Sequence, residues 1–189
     1  KVIPAKGHKE VTDAGTAATC VTDGLTAGKH CTVCGKVTVA KQVIPATGHH
    51  YVDGICTNCF ASEPKESEGL IFALNRNRDG YSVIGLGTCT DTDIVIPAVY
   101  EGLPVKEIGR EAFKDQAITS VIIPDSVTQI GVCVFQGCTA LQSVRLPVGL
   151  STIESCTFKG CVKLSSIEIP QQVTDIGNEA FSGCSSLPL

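Results

Sequence analysis

Residues 138–170, CTALQSVRLPVGLSTIESCTFKGCVKLSSIEIP, say nearly the same thing twice. The duplication extends to both sides: Cys138, Cys161 and Cys184, Phe135, Phe158 and Phe181, and Pro124, Pro147 and Pro170 all follow one another at one constant step. A fixed period of this size, about 23 residues, marks a stacked array, in which each repeat is one supersecondary unit that completes its core only against its neighbours. Aligned on the prolines, four rows emerge: DIVIPAVYEGLPVKEIGREAFKDQA from Asp93, ITSVIIPDSVTQIGVCVFQGCTA from Ile118, LQSVRLPVGLSTIESCTFKGCVK from Leu141 and LSSIEIPQQVTDIGNEAFSGCSS from Leu164.

Within a row, the alternating apolar residues of SVRLP or SIEIP predict a short strand, and the proline that follows ends its ladder. V-T-x-I-G supplies a further inward Val and Ile, and A-F adds a bulky aromatic before a Gly-Cys turn. Stacking then predicts two buried columns, Phe113, Phe135, Phe158 and Phe181, and Ile108, Ile130, Ile153 and Ile176. Cys138, Cys161 and Cys184 read as small apolar side chains in equivalent core slots. Cys133 and Cys156 form a second pair one period apart, where other rows carry Glu111 and Glu179. Equivalent positions of adjacent coils lie ~4.8 Å apart, inside the range a disulfide accepts, but parallel side chains are poorly placed for its ~90° torsion.

These rows resemble the leucine-rich repeats of bacterial surface proteins of the BspA-like type, approximately L-x-x-I-x-I-P-x-x-V-T-x-I-G-x-x-A-F-x-G-C-x-x, over residues 90–189. The segment LIFALNRNRDGYSVIGLGTCTDTDIVIP before them resembles the opening hairpin of such arrays. Departures are Val132, Cys133 and Val134 in the second row and Gln116 at a cysteine position in the first. The resemblance implies a non-catalytic cell-surface or secreted protein, extracellular, that mediates adhesion or recognises a protein ligand such as a host or neighbouring-cell surface protein. The alternative is an architectural spacer or accessory domain with no ligand of its own. A recognition surface would use the outward strand residues Val95, Ile122, Arg145 and Glu168, which differ from row to row on a constant scaffold.

The first third of the chain is a different material. All four histidines, His8, His30, His49 and His50, fall within it, and residues 1–60 carry 6 basic and 4 acidic residues against 9 and 15 beyond. V2-IPAKGH-8 returns as V43-IPATGH-49, so this part repeats too, with a longer unit. The first copy continues with Cys20 and C31-TVC-34, the second with C56-TNC-59 alone. A Cys-x-x-Cys turn presents two thiolates to one ion, and zinc takes four ligands as a tetrahedron. Three groupings follow. His8, Cys20, Cys31 and Cys34 make a site within one unit. Cys31, Cys34, Cys56 and Cys59 make a ribbon, the two pairs separated by slightly more than the usual ~15–20 residues. His49 in place of His8 would link consecutive units. A structural zinc is the cofactor this pattern suggests, and disulfides are its rival, because small secreted modules with little core use them.

The expected architecture is therefore mainly β: a zinc-ribbon-like or disulfide-stapled Cys/His module at 1–60, a polar linker at 61–69, a hairpin cap at 70–89 and about four leucine-rich repeats in a solenoid over 90–189, the last cut short. The chain reads as a piece of a longer protein. A net charge of -4 argues against nucleic acid, and no apolar run is long enough to insert into a membrane. Catalysis finds little support either. The repeats hold no histidine to serve as base, and the carboxylate pairs Glu107/Glu111 and Asp91/Asp93 read as solvated turn residues.

Overall fold

A computed structural model describes residues 9–20, 22–45, 51–52 and 55–188. The chain divides into two compact units, Lys1–Pro64 and Lys65–Leu189. Among the described residues there is no α-helix; every regular element is a strand, in line with the mainly β reading.

The first unit is built from short strands: β1 (Glu10–Asp13), β2 (Gly24–Leu25), β3 (Gly28–Cys31), β4 (Val37–Val39), β5 (Val43–Ile44), β6 (Tyr51–Val52) and β7 (Ile55–Cys56). They pair antiparallel as β1-β3-β4, β2-β5 and β6-β7. Its apolar interior is unusual. Among its described residues the only buried apolar side chains are Cys20, Cys31 and Cys56, while Val33 and Phe60 are each 79% exposed. Two- and three-stranded sheets this small do not hold themselves together without another source of stability.

The second unit opens with the antiparallel hairpin of β8 (Ile71–Leu74) and β9 (Tyr81–Gly85). β12 (Leu103–Ile108) runs parallel to β9, and β11 (Val99–Tyr100) folds back on β12 through a tight turn in which both Glu101 and Gly102 have positive φ, 46° and 79°. That is the type I′ geometry that tight hairpins favour. The extra residues of the first row thus form a hairpin of their own. Phe72 and Tyr81 meet Tyr100, the residue just before this turn, with Phe72 and Tyr100 stacked at 4.0 Å and Tyr81 edge-on to Tyr100 at 5.0 Å. These rings pack against the first coil's core as a cap.

The coils then stack in parallel register. The strand of each row pairs with the next: β10 (Asp93–Val95), β13 (Ser120–Ile122), β15 (Ser143–Arg145) and β17 (Ser166–Ile167) form one sheet in that order. The V-T-x-I-G segments give a second ladder, β12 with β14 (Gln129–Ile130) and β16 (Thr152–Ile153) with β18 (Asp175–Ile176). A third runs through the turns, where Phe113, Phe135 and Phe158 each donate their N–H to the coil ahead, at Val134, Thr157 and Ala180. Backbone polar groups are thus satisfied between coils on all three sides.

Both columns expected from the sequence are present. Phe113, Phe135 and Phe158 are fully buried, and successive rings stack at 5.7, 5.4 and 5.3 Å, ending on the half-buried Phe181. Ile108, Ile130 and Ile153 are buried, but Ile176 is 57% exposed, because no described residue stacks beyond the fourth row. Gly137, Gly160 and Gly183 take φ of 74°, 76° and 79° before the cysteines, a left-handed turn that glycine makes without Cβ strain.

Cys138 and Cys161 are fully buried and Cys184 half-buried. Each thiol donates to the carbonyl of the phenylalanine one coil back: Cys138 to Phe113 at 2.9 Å, Cys161 to Phe135 at 3.1 Å and Cys184 to Phe158 at 3.0 Å. Burial pushes the Cys138 thiol up to about 11 and the Cys161 thiol up to about 12. The reactive species is the thiolate. Native protein treated with iodoacetamide at pH 8 should therefore leave Cys138 and Cys161 unmodified until denaturant is added, as mass mapping of the alkylated peptides would show. Modification of either at the rate of an exposed cysteine would contradict the buried ladder.

Candidate functional site

Among the described residues, two places gather chemistry, one in each unit. On the solenoid, strands β13, β15 and β17 face a groove of ≈ 820 Å³. The parallel register places Val95, Ile122 and Arg145 in one row across β10, β13 and β15. Glu168 follows just after β17. Ile122, Arg145 and Glu168 line the groove, together with Val148, Ile169 and the Gln171–Gln172 turn; Val95 is not among its lining residues. The spacing of the repeats points to the row but not to Val148, in the turn after β15, nor to Ile169, which the alternation of SIEIP assigns to the interior with its counterparts Ile123 and Leu146.

The groove's floor is a line of hydroxyls, Ser120, Ser143 and Ser166, in register on successive strands. Ser120 and Thr119 both donate to the Asp93 carboxylate at 2.7 Å and hold its acid below the usual range. Arg145 is fixed from within: one guanidinium nitrogen donates to Ile123 O at 3.0 Å and another pairs with Asp125 at 3.1 Å. Asp125 also accepts the Val148 N–H, so one carboxylate sets both the arginine and the turn beside it. Glu168 is exposed and takes part in no ion pair among the described residues. Val148 at 61% and Ile169 at 38% exposure leave apolar surface open along the same groove. The result is a preformed surface with apolar, cationic and anionic points whose positions the coils fix.

In the first unit, the thiols of Cys20, Cys56 and Cys59 lie within 4.8 Å of one another. Cys20 and Cys56 are buried and Cys59 exposed, and the Sγ atoms of Cys20 and Cys56 are 3.7 Å apart. A tetrahedral zinc with ~2.3 Å bonds to sulfur has sulfur–sulfur edges of about 3.8 Å, so this spacing fits a metal, whereas a disulfide would need ~2.05 Å. Burial, and then the neighbouring Cys56 and Cys59 thiols, push the Cys20 thiol up to about 11. Three thiols packed this closely can hold a metal ion.

The trio is none of the three groupings that spacing suggests. It joins Cys20 of the first copy to the C-x-x-C turn of the second. Cys31 is buried at the end of β3 and Cys34 is exposed in the turn after it. His8 and His49 lie outside the described residues, as does His50. His30 bonds Asp13 at 2.8 Å across the β1-β3 pair.

Residues 106–188 match the BspA type leucine rich repeat region in six copies. Among solved structures, the T. pallidum leucine rich repeat protein is 30% identical, with 65% of this chain and 69% of that one covered and a TM-score of 0.59. A leucine-rich repeat protein from Bacteroides ovatus is 29% identical over 61% of this chain and 32% of its own, with a TM-score of 0.56. One from Bacteroides capillosus is 28% identical over 61% and 92%, with a TM-score of 0.54. No curated protein matches the chain. With its evenly spaced coils, phenylalanine column and Gly-Cys turns in place, the chain belongs through its solenoid to the BspA-type leucine-rich repeat family.

Proposed function

We propose that this chain is a non-catalytic piece of a secreted or cell-surface protein that recognises another protein, such as one on a host or neighbouring cell, through the groove of its solenoid. The observation that carries this is the groove itself. Its scaffold repeats from coil to coil while its projecting residues, Ile122, Arg145 and Glu168, do not. Exposed Val148 and Ile169 add the apolar area from which binding surfaces draw affinity. Family membership supports the surface location. No helix of the described residues is long and apolar enough to cross a membrane.

A spacer role is favoured by one detail. Arg145 is already committed to Ile123 and Asp125, which leaves fewer of its hydrogen bonds for a partner. Capture from a mixture of surface proteins separates the two readings. A partner retained by the full chain should be lost, by tenfold or more, when Ile122→Asp, Arg145→Glu and Glu168→Lys are combined. Undiminished retention would remove the groove from the mechanism.

The cysteine-rich unit serves this function as a rigid module, held by a structural zinc at Cys20, Cys56 and Cys59. Zinc would supply the cohesion that the unit's thin apolar interior lacks. The fourth donor is to be sought among His8 and His49 by replacing each with alanine. Residues 61–69 are then the junction that leaves the zinc module and the repeats free to fold separately.

A further inference from the structure

We propose that Cys133 and Cys156 are a disulfide site that staples the second and third rows of the solenoid together. Both occupy the same unusual backbone position. Glu111, Cys133, Cys156 and Glu179, one per coil, all take left-handed φ, at 58°, 58°, 58° and 56°. Their hydrogen bonds show that they stack directly. The N–H groups of Glu111, Cys133 and Cys156 go in turn to the carbonyls of Val132, Ser155 and Asn178, each time the residue just before the counterpart in the following coil. That parallel register sets neighbouring Cα atoms about 4.8 Å apart, within the ~4.4–6.8 Å a disulfide spans.

Register alone would favour the Gly-Cys column equally, and there the structure discriminates. Cys138 and Cys161 are wedged in the core and tied at 2.9 and 3.1 Å to phenylalanine carbonyls, so neither can turn towards the other without breaking a buried bond. Cys133 and Cys156 are half-buried, on turns rather than strands. Apart from its interaction with Cys133, the Cys156 thiol makes long contacts, 3.9 Å to Asn178 O and 3.8 Å to a Glu179 carboxylate oxygen that Lys159 already holds at 2.6 Å. Rotation about its Cα–Cβ bond costs little and can open the torsion that parallel side chains lack. Burial first, then the adjacent Cys133, raises the Cys156 thiol, so the two sulfurs already sense each other.

The oxidant is a low-molecular-weight disulfide. One cysteine, as thiolate, attacks a sulfur of that compound and expels its other half as a thiolate. The second cysteine, on losing its proton, attacks the mixed disulfide and expels the remaining half. Two cysteine thiols become one S–S bond, and the two electrons leave on two small thiols. Because the Cys156 thiol is raised, the reaction should speed up as pH rises.

The test uses the full chain, incubated with oxidised glutathione, blocked with N-ethylmaleimide and digested with trypsin. Cleavage at Lys114, Arg145 and Lys159 puts Cys133 and Cys138 in peptide 115–145 and Cys156 in peptide 146–159. The expected product is these two peptides joined, with fragment ions placing the bridge on Cys133, and a melting temperature roughly 5–10 °C higher that reductant reverses. Cys133→Ser and Cys156→Ser should each abolish both effects while melting as the reduced parent does. Recovery of Cys133 and Cys156 as separate glutathione or maleimide adducts, or a bridge to Cys138, would overturn the proposal.

Discussion

Phe135→Ala should lower the stability of the solenoid by about 3–5 kcal/mol, a large share of what a domain of this size holds. The ring is fully buried and stacked on both faces, 5.7 Å from Phe113 and 5.4 Å from Phe158. Its removal takes away the transfer energy of one aromatic, about 1.5–3 kcal/mol, and two ring–ring contacts of about 0.5–1.5 kcal/mol each, and leaves a cavity that rigid neighbours cannot close. Phe181→Ala provides the comparison. That ring is half-buried and stacks on one side only, so its loss should cost well under half as much. Urea titration of both variants measures the difference. Equal costs would mean that the coils do not depend on their neighbours, contrary to a stacked array.

This prediction can be framed from the sequence because a repeat announces its own core. A phenylalanine that returns once in every period has to face a common interior, and the structure stacks the rings where that period puts them. The period conceals what differs at the ends. Ile176 is exposed because no described residue stacks on the fourth row, and the Phe72, Tyr81 and Tyr100 cap comes from segments outside the period. The left-handed turn at Cys133 and Cys156 is also illegible in sequence, since residues other than glycine rarely report such a backbone.

The thiol trio is harder to read for a different reason. Spacing along a chain tells which cysteines share a turn, as Cys56 and Cys59 do, but not which distant one joins them. That depends on how short strands fold back, and a unit with almost no apolar pattern offers little to predict it. The ribbon and within-unit groupings both keep C31-TVC-34 together with its partners in sequence. Cys20 instead meets Cys56 across 36 residues.

Cys56→Ser is the second large effect. Cys56 is fully buried with its Sγ 3.7 Å from that of Cys20, and a structural zinc site gives folding energy outright. Protein purified without chelator should carry about one zinc, as structural sites of this kind do, and the variant close to none. Residues 1–64 should then become protease-sensitive while the solenoid melts unchanged, because each is a compact unit. Elemental analysis with limited proteolysis reads both. Wild-type protein without metal, and with the Cys20, Cys56 and Cys59 thiols all alkylated after mild treatment, would rule the zinc out.

Hydrogen–deuterium exchange of the full chain, alone and with its captured partner, is the most direct test of recognition through the groove. Protection should concentrate in 120–122, 143–148 and 166–172, the strands and turns that line it, and should vanish in the Ile122, Arg145 and Glu168 triple variant. Protection confined instead to the turns at 131–137 and 154–160, with the groove unchanged, would place binding elsewhere and contradict the proposal.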